Sequence, residues 1–402
     1  MATRLSDRIN SMSESATIAM AQAARELASQ GKDVISLSVG EPDFTTPKYI
    51  QDAAKTAINE GYHYYTPVPG VLELRKSIAT KLQKENNINC TFENVVVSTG
   101  AKQCIANAVL SLVNPGDEVI VLAPYWVSYL DIVKYAEGKP VLVSGSQENG
   151  FKPSIQDIKN AITDKTKAIM YSAPSNPAGA VFDQKEMEAF AEVISAHDNL
   201  FVIADEIYEY INYHKKLISL ASISGMQDRV VTVNGFSKGF AMTGWRVGYL
   251  CAPLDIAKAA AKLQGQFTSG TNAVAQRASI SALENEPEKD KATSTMLEAY
   301  SRRKELMYHL LNEIPEVKVI KPQGAFYLFP DVSAYFGKRT VKGLVIKNSD
   351  DLSLYLLNEA LVSTVTGKAF GAENHIRLSF ATSDEKITEA ISRIRTKLLE
   401  LK

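Results

Sequence analysis

The chain has 402 residues, of which 45% are hydrophobic and 22% are charged, proportions that are ordinary for a globular protein. Lysine plus arginine (44) nearly balances aspartate plus glutamate (45), so the net charge of −1 gives no indication of a nucleic-acid-binding surface. The apolar runs are only as long as strands, which argues against a membrane span, and the N-terminus lacks the apolar core of a secretory signal.

The length exceeds what one ordinary hydrophobic core supports, so we expect two domains. The three cysteines, Cys90, Cys104 and Cys251, are far apart and odd in number, which indicates neither a disulfide framework nor a zinc site. We therefore expect a cytoplasmic protein without a bound metal.

Short apolar runs alternate with helical patterns from residue 95 to residue 251. The runs are apolar throughout, as expected for strands that are covered on both faces. Helices are predicted over 101–113, 154–162 and 183–197, with Asp183 as an N-cap. This alternation predicts an α/β fold: a large domain with a mostly parallel, doubly wound sheet of seven strands. The predicted strands are 95–97, 118–122, 141–143, 168–171, 200–204, 230–233 and 247–251.

The pattern changes after Ala252, where long helices are predicted over 254–284 and 287–313. Strands are then predicted at 317–320, 325–329 and 375–380, and helices at 351–361 and 384–400. We interpret this part as a smaller α+β domain that the first residues of the chain complete. The predicted division is 1–47 for the N-terminal arm, 48–293 for the large domain and 294–402 for the small domain.

One lysine stands between the last two predicted strands of the sheet. Lys238 lies in a glycine-containing loop, and Arg246 follows between Gly244 and Gly248. An amine in a partly desolvated pocket has a lowered pKa and can form a Schiff base with an aldehyde, whereas a guanidinium suits a phosphate dianion. The pair indicates a pyridoxal phosphate site. The alternative interpretation is a structural turn with an exposed lysine.

Two carboxylates and a phenol follow the strand that ends near residue 204. Asp205 would lie partly buried at the carboxyl edge of the sheet, where it needs a cationic partner. A protonated pyridine nitrogen is such a partner, and Tyr208 is placed to donate to the phenolic oxygen of the ring. The alternative for Asp205 is a helix cap or a structural salt bridge.

Three further loops follow predicted strands. Gly100 opens a helix whose first free N–H groups form a phosphate seat. Asn176 is held between prolines in a rigid loop, where its amide can donate to the same phenolic oxygen. Trp126 can stack on a flat ring, although a packed core aromatic is an equal alternative.

Eight motifs occur in the order seen in class I aminotransferases, and they span essentially the whole chain. The chain resembles the bacterial aspartate aminotransferase branch of the fold-type I pyridoxal-phosphate enzymes. The motifs that carry this resemblance are Gly40–Phe44, Tyr65–Gly70, Pro124–Trp126, Pro174–Pro177, Asp205–Tyr208, Ser237–Lys238, Thr243–Gly248 and Ile376–Ser379.

The resemblance implies a role for each residue of the ring site. Lys238 would be the Schiff-base lysine and proton shuttle, and Asp205 would pair with the ring nitrogen. Tyr208 and Asn176 would bond the phenolic oxygen, and Trp126 would pack against the ring.

The resemblance also implies how the cofactor phosphate is held. Arg246, Ser237 and the backbone amides near Ala101 and Lys102 would bind it. Tyr65 would reach the phosphate of a neighbouring subunit, which implies a homodimer with shared sites.

For the substrate, the resemblance implies that Arg377 clamps the α-carboxylate beside the backbone of Gly40, with Trp126 and Asn176 close by. The motif of the partner-subunit arginine that binds the distal carboxylate in animal-type relatives is not found. Ser15-Ala-Thr17 and Lys102 instead match the bacterial branch.

The implied reaction is a ping-pong transamination between L-aspartate and 2-oxoglutarate through an aldimine at Lys238, with prephenate as an additional substrate. Another aminotransferase (aromatic or alanine), a decarboxylase or a β-lyase on the same fold remains an alternative. A cofactor-sensing regulator would need a DNA-binding extension, and the chain shows no helix-turn-helix pattern.

Overall fold

The computed structural model describes residues 4–214 and 216–402. The N-terminal part is mostly helical and contributes one short strand. Its elements are α1 (Asp7–Asn10), α2 (Ala16–Ser29), β1 (Ile35–Ser36), α3 (Lys48–Asn59) and α4 (Leu72–Asn86).

A central sheet of seven strands follows, in the spatial order β2-β8-β7-β6-β5-β3-β4. Only β8 runs antiparallel to its neighbours, so the prediction of a mostly parallel sheet is confirmed. The strands in the middle of the sheet are buried along nearly their whole length, which explains their apolar sequences. The strands are β2 (Val95–Ser98), β3 (Glu118–Ala123), β4 (Lys139–Ser144), β5 (Thr166–Ser172), β6 (Phe201–Asp205), β7 (Val230–Gly235) and β8 (Gly248–Cys251).

Helices connect these strands, as the sequence predicted. Asp183 caps its helix by accepting from the Glu186 amide over 2.9 Å, and the Glu186 carboxylate accepts from the Asp183 amide over 2.7 Å. The helices are α5 (Ala101–Leu112), α6 (Ser128–Tyr135), α7 (Ile155–Ala161) and α8 (Gln184–Ser195).

The single helix predicted over 254–284 is wrong, because the chain forms two helices, α9 (Leu254–Phe267) and α10 (Ala273–Glu284). Ser269 between them takes a left-handed φ of +59°. A Cβ on the neighbouring Gly270 would lie 2.3 Å from the Thr66 hydroxyl oxygen, so a distant segment packs against this break. Asn272 then caps α10 by accepting from the Ala275 amide over 2.8 Å.

The C-terminal part begins with a long helix and continues with short strands and two further helices. Its elements are α11 (Glu286–Asn312), β9 (Tyr327–Leu328), α12 (Ser349–Tyr355), β10 (Val362–Ser363), β11 (Val365–Thr366), β12 (Ile376–Ser379) and α13 (Asp384–Leu399).

Two small sheets form in this part, β11-β12-β9 and the parallel pair β1-β10. The second sheet joins the N-terminal segment to the C-terminal part. The predicted strand at 317–320 is wrong, because only an isolated bridge between Lys318 and Asp331 forms there. Glu316 before it takes a left-handed φ of +62°, and Pro322 after it has no N–H to donate.

The buried apolar residues group into separate clusters, two of which cover the faces of the central sheet while a third lies in the C-terminal part. The sequence analysis placed the start of the small domain at residue 294, and helix α11 continues through this residue without a break. The division into residues 1–47, 48–293 and 294–402 remains a proposal. Within the described residues, no helix combines the length and the apolar character that crossing a bilayer requires. The carboxyl ends of β3, β5, β6 and β7 point toward the C-terminal part, and the candidate site lies there.

Candidate active site

A cavity of about 390 Å³ opens at the carboxyl edge of the central sheet. Its walls come from the strand ends, from the N-terminal segment and from the C-terminal part. Nearly every residue that the sequence analysis singled out lines this one cavity. They are Ser15, Thr17, Gly40, Ala101, Lys102, Trp126, Asn176, Asp205, Tyr208, Ser237, Lys238, Arg246 and Arg377.

Two predicted residues lie outside the lining of the cavity. Gly100 lies directly behind it, against the guanidinium of Arg246. Tyr65 is 99% exposed and touches no part of the cavity, so within one chain it contributes nothing to the site.

Lys238 lies in the turn that joins β7 to β8, with its side chain inside the cavity. Its Nζ donates to the carbonyl oxygen of Gly40. Burial lowers the pKa of Lys238 to about 8, because desolvation penalises the charged form. A substantial fraction of this amine is therefore neutral near physiological pH, as a nucleophile requires.

Asp205 is the last residue of β6 and is only 5% exposed. Its Oδ2 accepts from the Tyr129 hydroxyl over 2.7 Å, and its Oδ1 accepts from the Ile207 amide over 3.2 Å. Burial raises its pKa to about 6, against the opposing effect of these two hydrogen bonds. Among the described residues, no lysine or arginine forms an ion pair with it, so a cationic ligand would relieve its desolvation.

Arg377 on β12 presents the opposite case, a buried cation. It is 2% exposed, its Nη1 donates to Asn176 Oδ1 over 2.9 Å and its Nη2 donates to the Ser38 carbonyl over 2.6 Å. Its Nε has no acceptor, burial lowers its pKa, and no carboxylate of the described chain pairs with it. A buried guanidinium without a counter-ion suits an anionic ligand.

One backbone segment contacts both buried cations of the cavity. The carbonyl of Ser38 accepts from Arg377, and the carbonyl of Gly40 accepts from Lys238. Carbonyls two residues apart therefore hold the arginine and the lysine, and the proposed contact of the Gly40 backbone with the substrate stays a prediction.

Besides Arg377, the start of α5 is a second candidate binding site for an anion. The amides of Ala101 and Lys102 begin this helix, and neither has an acceptor in the described part of the chain. Arg246 lies beside them, with Nη1 donating to the Thr243 carbonyl over 2.9 Å and no carboxylate partner. A Cβ on Gly100 would lie 2.4 Å from Arg246 Nη2, so only glycine allows this approach. Ser237 lines the same wall.

The other residues assigned to the cofactor ring line the same cavity as Arg377 and the start of α5. The Tyr208 hydroxyl lies 2.7 Å from the Tyr327 hydroxyl. Asn176 gives its oxygen to Arg377, which leaves its amide hydrogens for a ligand. The Trp126 ring lies 4.9 Å from Lys102 Nζ and meets the ring of Tyr129 edge to face at 5.5 Å.

The N-terminal segment closes one side of the cavity. Ser15 precedes α2, and Thr17 in its first turn has a buried hydroxyl without a hydrogen-bond partner among residues 4–214 and 216–402. Burial and the charge of Arg246 lower the pKa of the neighbouring Lys102. An unpartnered hydroxyl near a desolvated amine favours a second anionic group of the ligand at this end.

The sequence analysis missed three residues that line the cavity: Glu41, Thr243 and Tyr327. It also missed Ser38 and Tyr129, which form hydrogen bonds with the lining residues Arg377 and Asp205. Neither Tyr129 nor Tyr327 carries a local signal in the sequence.

The residues of the cavity match the chemical groups of the cofactor that the sequence indicates. The described residues contain no cluster of side chains suited to a metal ion. The helix start with Arg246 suits a phosphate, Asp205 suits a cationic ring nitrogen, and Lys238 suits an aldehyde. These residues could therefore hold pyridoxal phosphate.

Comparisons with known proteins agree with this geometry. A family model described as aminotransferase class I and II matches residues 32–394. The chain is 42% identical over 394 residues to an aspartate aminotransferase of Bacillus subtilis, covering 98% of each chain. It is 42% identical over 393 residues to an aspartate/prephenate aminotransferase of Cereibacter sphaeroides, covering 97% of this chain and 98% of that one.

The fold is also similar to solved structures. The aspartate aminotransferase of Thermus thermophilus with maleate superposes with a TM-score of 0.93 at 38% identity, over 98% of this chain and 100% of that chain. The predicted α/β fold class and the family resemblance are therefore confirmed.

Proposed function

The chain belongs to the class I and II aminotransferases, and we propose that it transfers an amino group between L-aspartate and 2-oxoglutarate with pyridoxal phosphate as cofactor. The products are oxaloacetate and L-glutamate. One observation carries the proposal: a buried carboxylate, Asp205, and a buried guanidinium, Arg377, face one cavity without counter-ions, and the amine of Lys238 lies in the same cavity.

Pyridoxal phosphate, when bound, supplies a covalent electron sink for the α-carbon of the amino acid. The residues of this chain supply the binding contacts and the proton transfers. Lys238 Nζ would hold the cofactor aldehyde, and as a free amine it would take the Cα proton of the substrate. Its lowered pKa supports this role, because a fully protonated amine accepts no proton. Asp205 keeps the ring nitrogen protonated.

The two ends of the substrate are bound by different parts of the chain. Arg377 takes the α-carboxylate, and Asn176 orients the guanidinium through its oxygen. Thr17, Ser15 and Lys102 take the distal carboxylate. The unpartnered Thr17 hydroxyl supports this assignment, and so do the aspartate-specific names of the relatives.

Prephenate is proposed as an additional substrate. The Cereibacter relative is named for aspartate and prephenate, and two apolar side chains, Ile18 and Val39, line the same cavity as Thr17 and Lys102. An apolar wall beside an anion site suits a ring that carries a carboxylate. The alternatives of an aromatic or alanine aminotransferase or a β-lyase are not favoured by these relatives.

We also propose a cytoplasmic homodimer with shared sites. The exposed Tyr65 belongs to a segment that also presents Tyr62 and Tyr64 to solvent, as expected for a surface that a second copy covers. From there Tyr65 would reach the phosphate of the partner. The three cysteines are free and buried, in keeping with a reducing compartment.

The test is an absorbance spectrum of the purified protein, recorded before and after addition of aspartate. We expect the visible band of the lysine–cofactor linkage to be replaced by the shorter-wavelength band of the aminated cofactor. Adding 2-oxoglutarate should restore the first band. Lys238→Ala should lack both the band and turnover, whereas Lys258→Ala, which removes an exposed lysine of α9, should behave as wild type. A Lys238→Ala protein that retains turnover would refute the assignment.

A further inference from the structure

Tyr327 is a fully buried residue of β9 that lines the cavity and that the proposed mechanism does not use. Its hydroxyl lies 2.7 Å from the hydroxyl of Tyr208. The face of its ring lies 4.4 Å from Cζ of Arg377. One side chain therefore touches both the phenol assigned to the cofactor and the guanidinium assigned to the substrate.

A third contact of Tyr327 involves the segment that holds Lys238. A Cβ on Gly40 would lie 2.3 Å from the Tyr327 hydroxyl oxygen, so this hydroxyl fills the space that a side chain would need. The carbonyl of the same glycine accepts from Lys238 Nζ. Tyr327 is thus packed at the point where the lysine, the phenol and the arginine meet.

The direction of the phenol–phenol hydrogen bond follows from counting protons. Burial raises the pKa of Tyr208 and the pKa of Tyr327, so both phenols are neutral and each has one hydrogen to donate. If Tyr208 donates its hydrogen to a ligand oxygen, its own oxygen is left as an acceptor. Tyr327 then donates to Tyr208, and the two bonds strengthen each other in a chain.

We propose that Tyr327 is a positioning residue that couples carboxylate binding at Arg377 to the strength with which Tyr208 donates to the cofactor. The coupling has two physical parts. The hydroxyl reinforces Tyr208, and the ring face supports the guanidinium through a cation–π contact. The inference rests on the proposed function, because it assigns Tyr208 to the phenolic oxygen of pyridoxal phosphate.

Two substitutions at Tyr327 separate the effect of its hydroxyl from the effect of its ring face. Tyr327→Phe removes the hydroxyl and keeps the ring beneath Arg377, and Tyr327→Leu removes both. The first readout is the pH at which the visible band of the lysine–cofactor linkage titrates. A weaker hydrogen bond to the phenolic oxygen leaves more negative charge beside the linkage nitrogen, which makes that nitrogen more basic. We expect Tyr327→Phe to raise this titration pH by about half a unit.

The second readout is the binding of maleate, a dicarboxylate without an amino group to react. In Tyr327→Phe its dissociation constant should stay within about twofold of wild type, because the ring face remains, whereas Tyr327→Leu should weaken binding by about fivefold or more. Maleate should also shift the titration pH of wild type, and this shift should shrink in Tyr327→Phe because the hydroxyl that links Tyr208 to the residue beneath Arg377 is lost.

The matched control is Tyr335→Phe, which deletes another buried phenol hydroxyl in the C-terminal part, one bonded to the Pro315 carbonyl away from the cavity. It should leave both readouts unchanged. In a Tyr208→Phe background, Tyr327→Phe should no longer move the titration pH, because its effect passes through Tyr208.

An unchanged titration pH in folded, cofactor-loaded Tyr327→Phe would overturn the inference, as would a full shift in the Tyr208→Phe background. Failure of the proposed function would look different, because wild type itself would then lack the visible band.

Discussion

The Tyr129 hydroxyl donates to Asp205 Oδ2 over 2.7 Å, and both side chains are buried. This hydrogen bond stabilises the charged form of Asp205, which burial deprives of solvation. Burial raises the pKa of Asp205, and the bond with Tyr129 opposes that rise. The same tyrosine meets Trp126 edge to face. One residue of α6 thus contacts both the carboxylate assigned to the ring nitrogen and the indole assigned to the ring face.

Tyr129→Phe should therefore weaken cofactor binding. Loss of a hydrogen bond to a charged group raises the pKa of Asp205 above about 6, so that less carboxylate is available near neutral pH. We expect the dissociation constant for pyridoxal phosphate, titrated into apoprotein at pH 7, to rise by about tenfold. The control is Tyr300→Phe, which removes another buried phenol hydroxyl, one that does not line the cavity. Equal losses in the two variants would contradict the role of Tyr129.

Asp205→Asn should make the apoprotein more stable while it abolishes transamination. A carboxyl whose pKa is raised from 3.8 to about 6 on folding stabilises the fold below pH 3.8, and this contribution is lost as the pH rises through 6. The asparagine has no such loss. We expect its free energy of unfolding, measured with urea, to exceed that of wild-type apoprotein by about 3 kcal/mol at pH 8 and by less than about 1 kcal/mol near pH 4. A difference independent of pH would count against a buried, unpaired carboxylate.

Arg377→Ala should impair every substrate with an α-carboxylate. Loss of a charged two-point contact costs roughly 3 kcal/mol or more in transition-state binding, so kcat/KM for aspartate should fall by about 150-fold or more. Arg302→Ala, which breaks an exposed ion pair with Asp384, serves as the control and should leave kcat/KM within about twofold. An unchanged kcat/KM in Arg377→Ala would remove this residue from the site.

Lys102→Met should change substrate preference more than it changes catalysis. The amine of Lys102 lies over Trp126 in the cavity, near the unpartnered hydroxyl of Thr17. We expect kcat/KM to fall by about tenfold or more for aspartate and by about threefold or less for phenylalanine, which has no distal carboxylate. Lys134→Met, a nearby lysine outside the cavity lining, should affect neither. Equal losses for the two substrates would argue for a role in phosphate binding alone.

The sheet could be predicted because its strands are buried on both faces, which leaves apolar runs such as 118–122 in the sequence. The break between α9 and α10 also has a local signal, because Ser269-Gly270 is a turn dipeptide and Asn272 is a favoured N-cap residue; the prediction of a single helix overlooked both. By contrast, no local pattern shows that residues 317–320 form only one bridge, between Lys318 and Asp331.

The residues of the candidate site also differ in whether the sequence alone predicts them. Lys238, Asp205 and Asn176 stand at strand ends beside glycines or prolines, so their chemistry is readable from sequence. Tyr129 and Tyr327 are ordinary core aromatics in sequence, and only the fold places them on partners 76 and 119 residues away.

The pairing of β1 with β10 has a mechanical consequence. Helix α2, which carries Thr17, packs on β10 and β11, and β11 pairs with β12, which carries Arg377. Thr17 and Arg377, which are assigned to opposite ends of a dicarboxylate, are therefore linked through β10, β11 and β12 without any element of the central sheet. This backbone connection fixes the distance between the two side chains, and that distance limits the length of the substrate that can reach both.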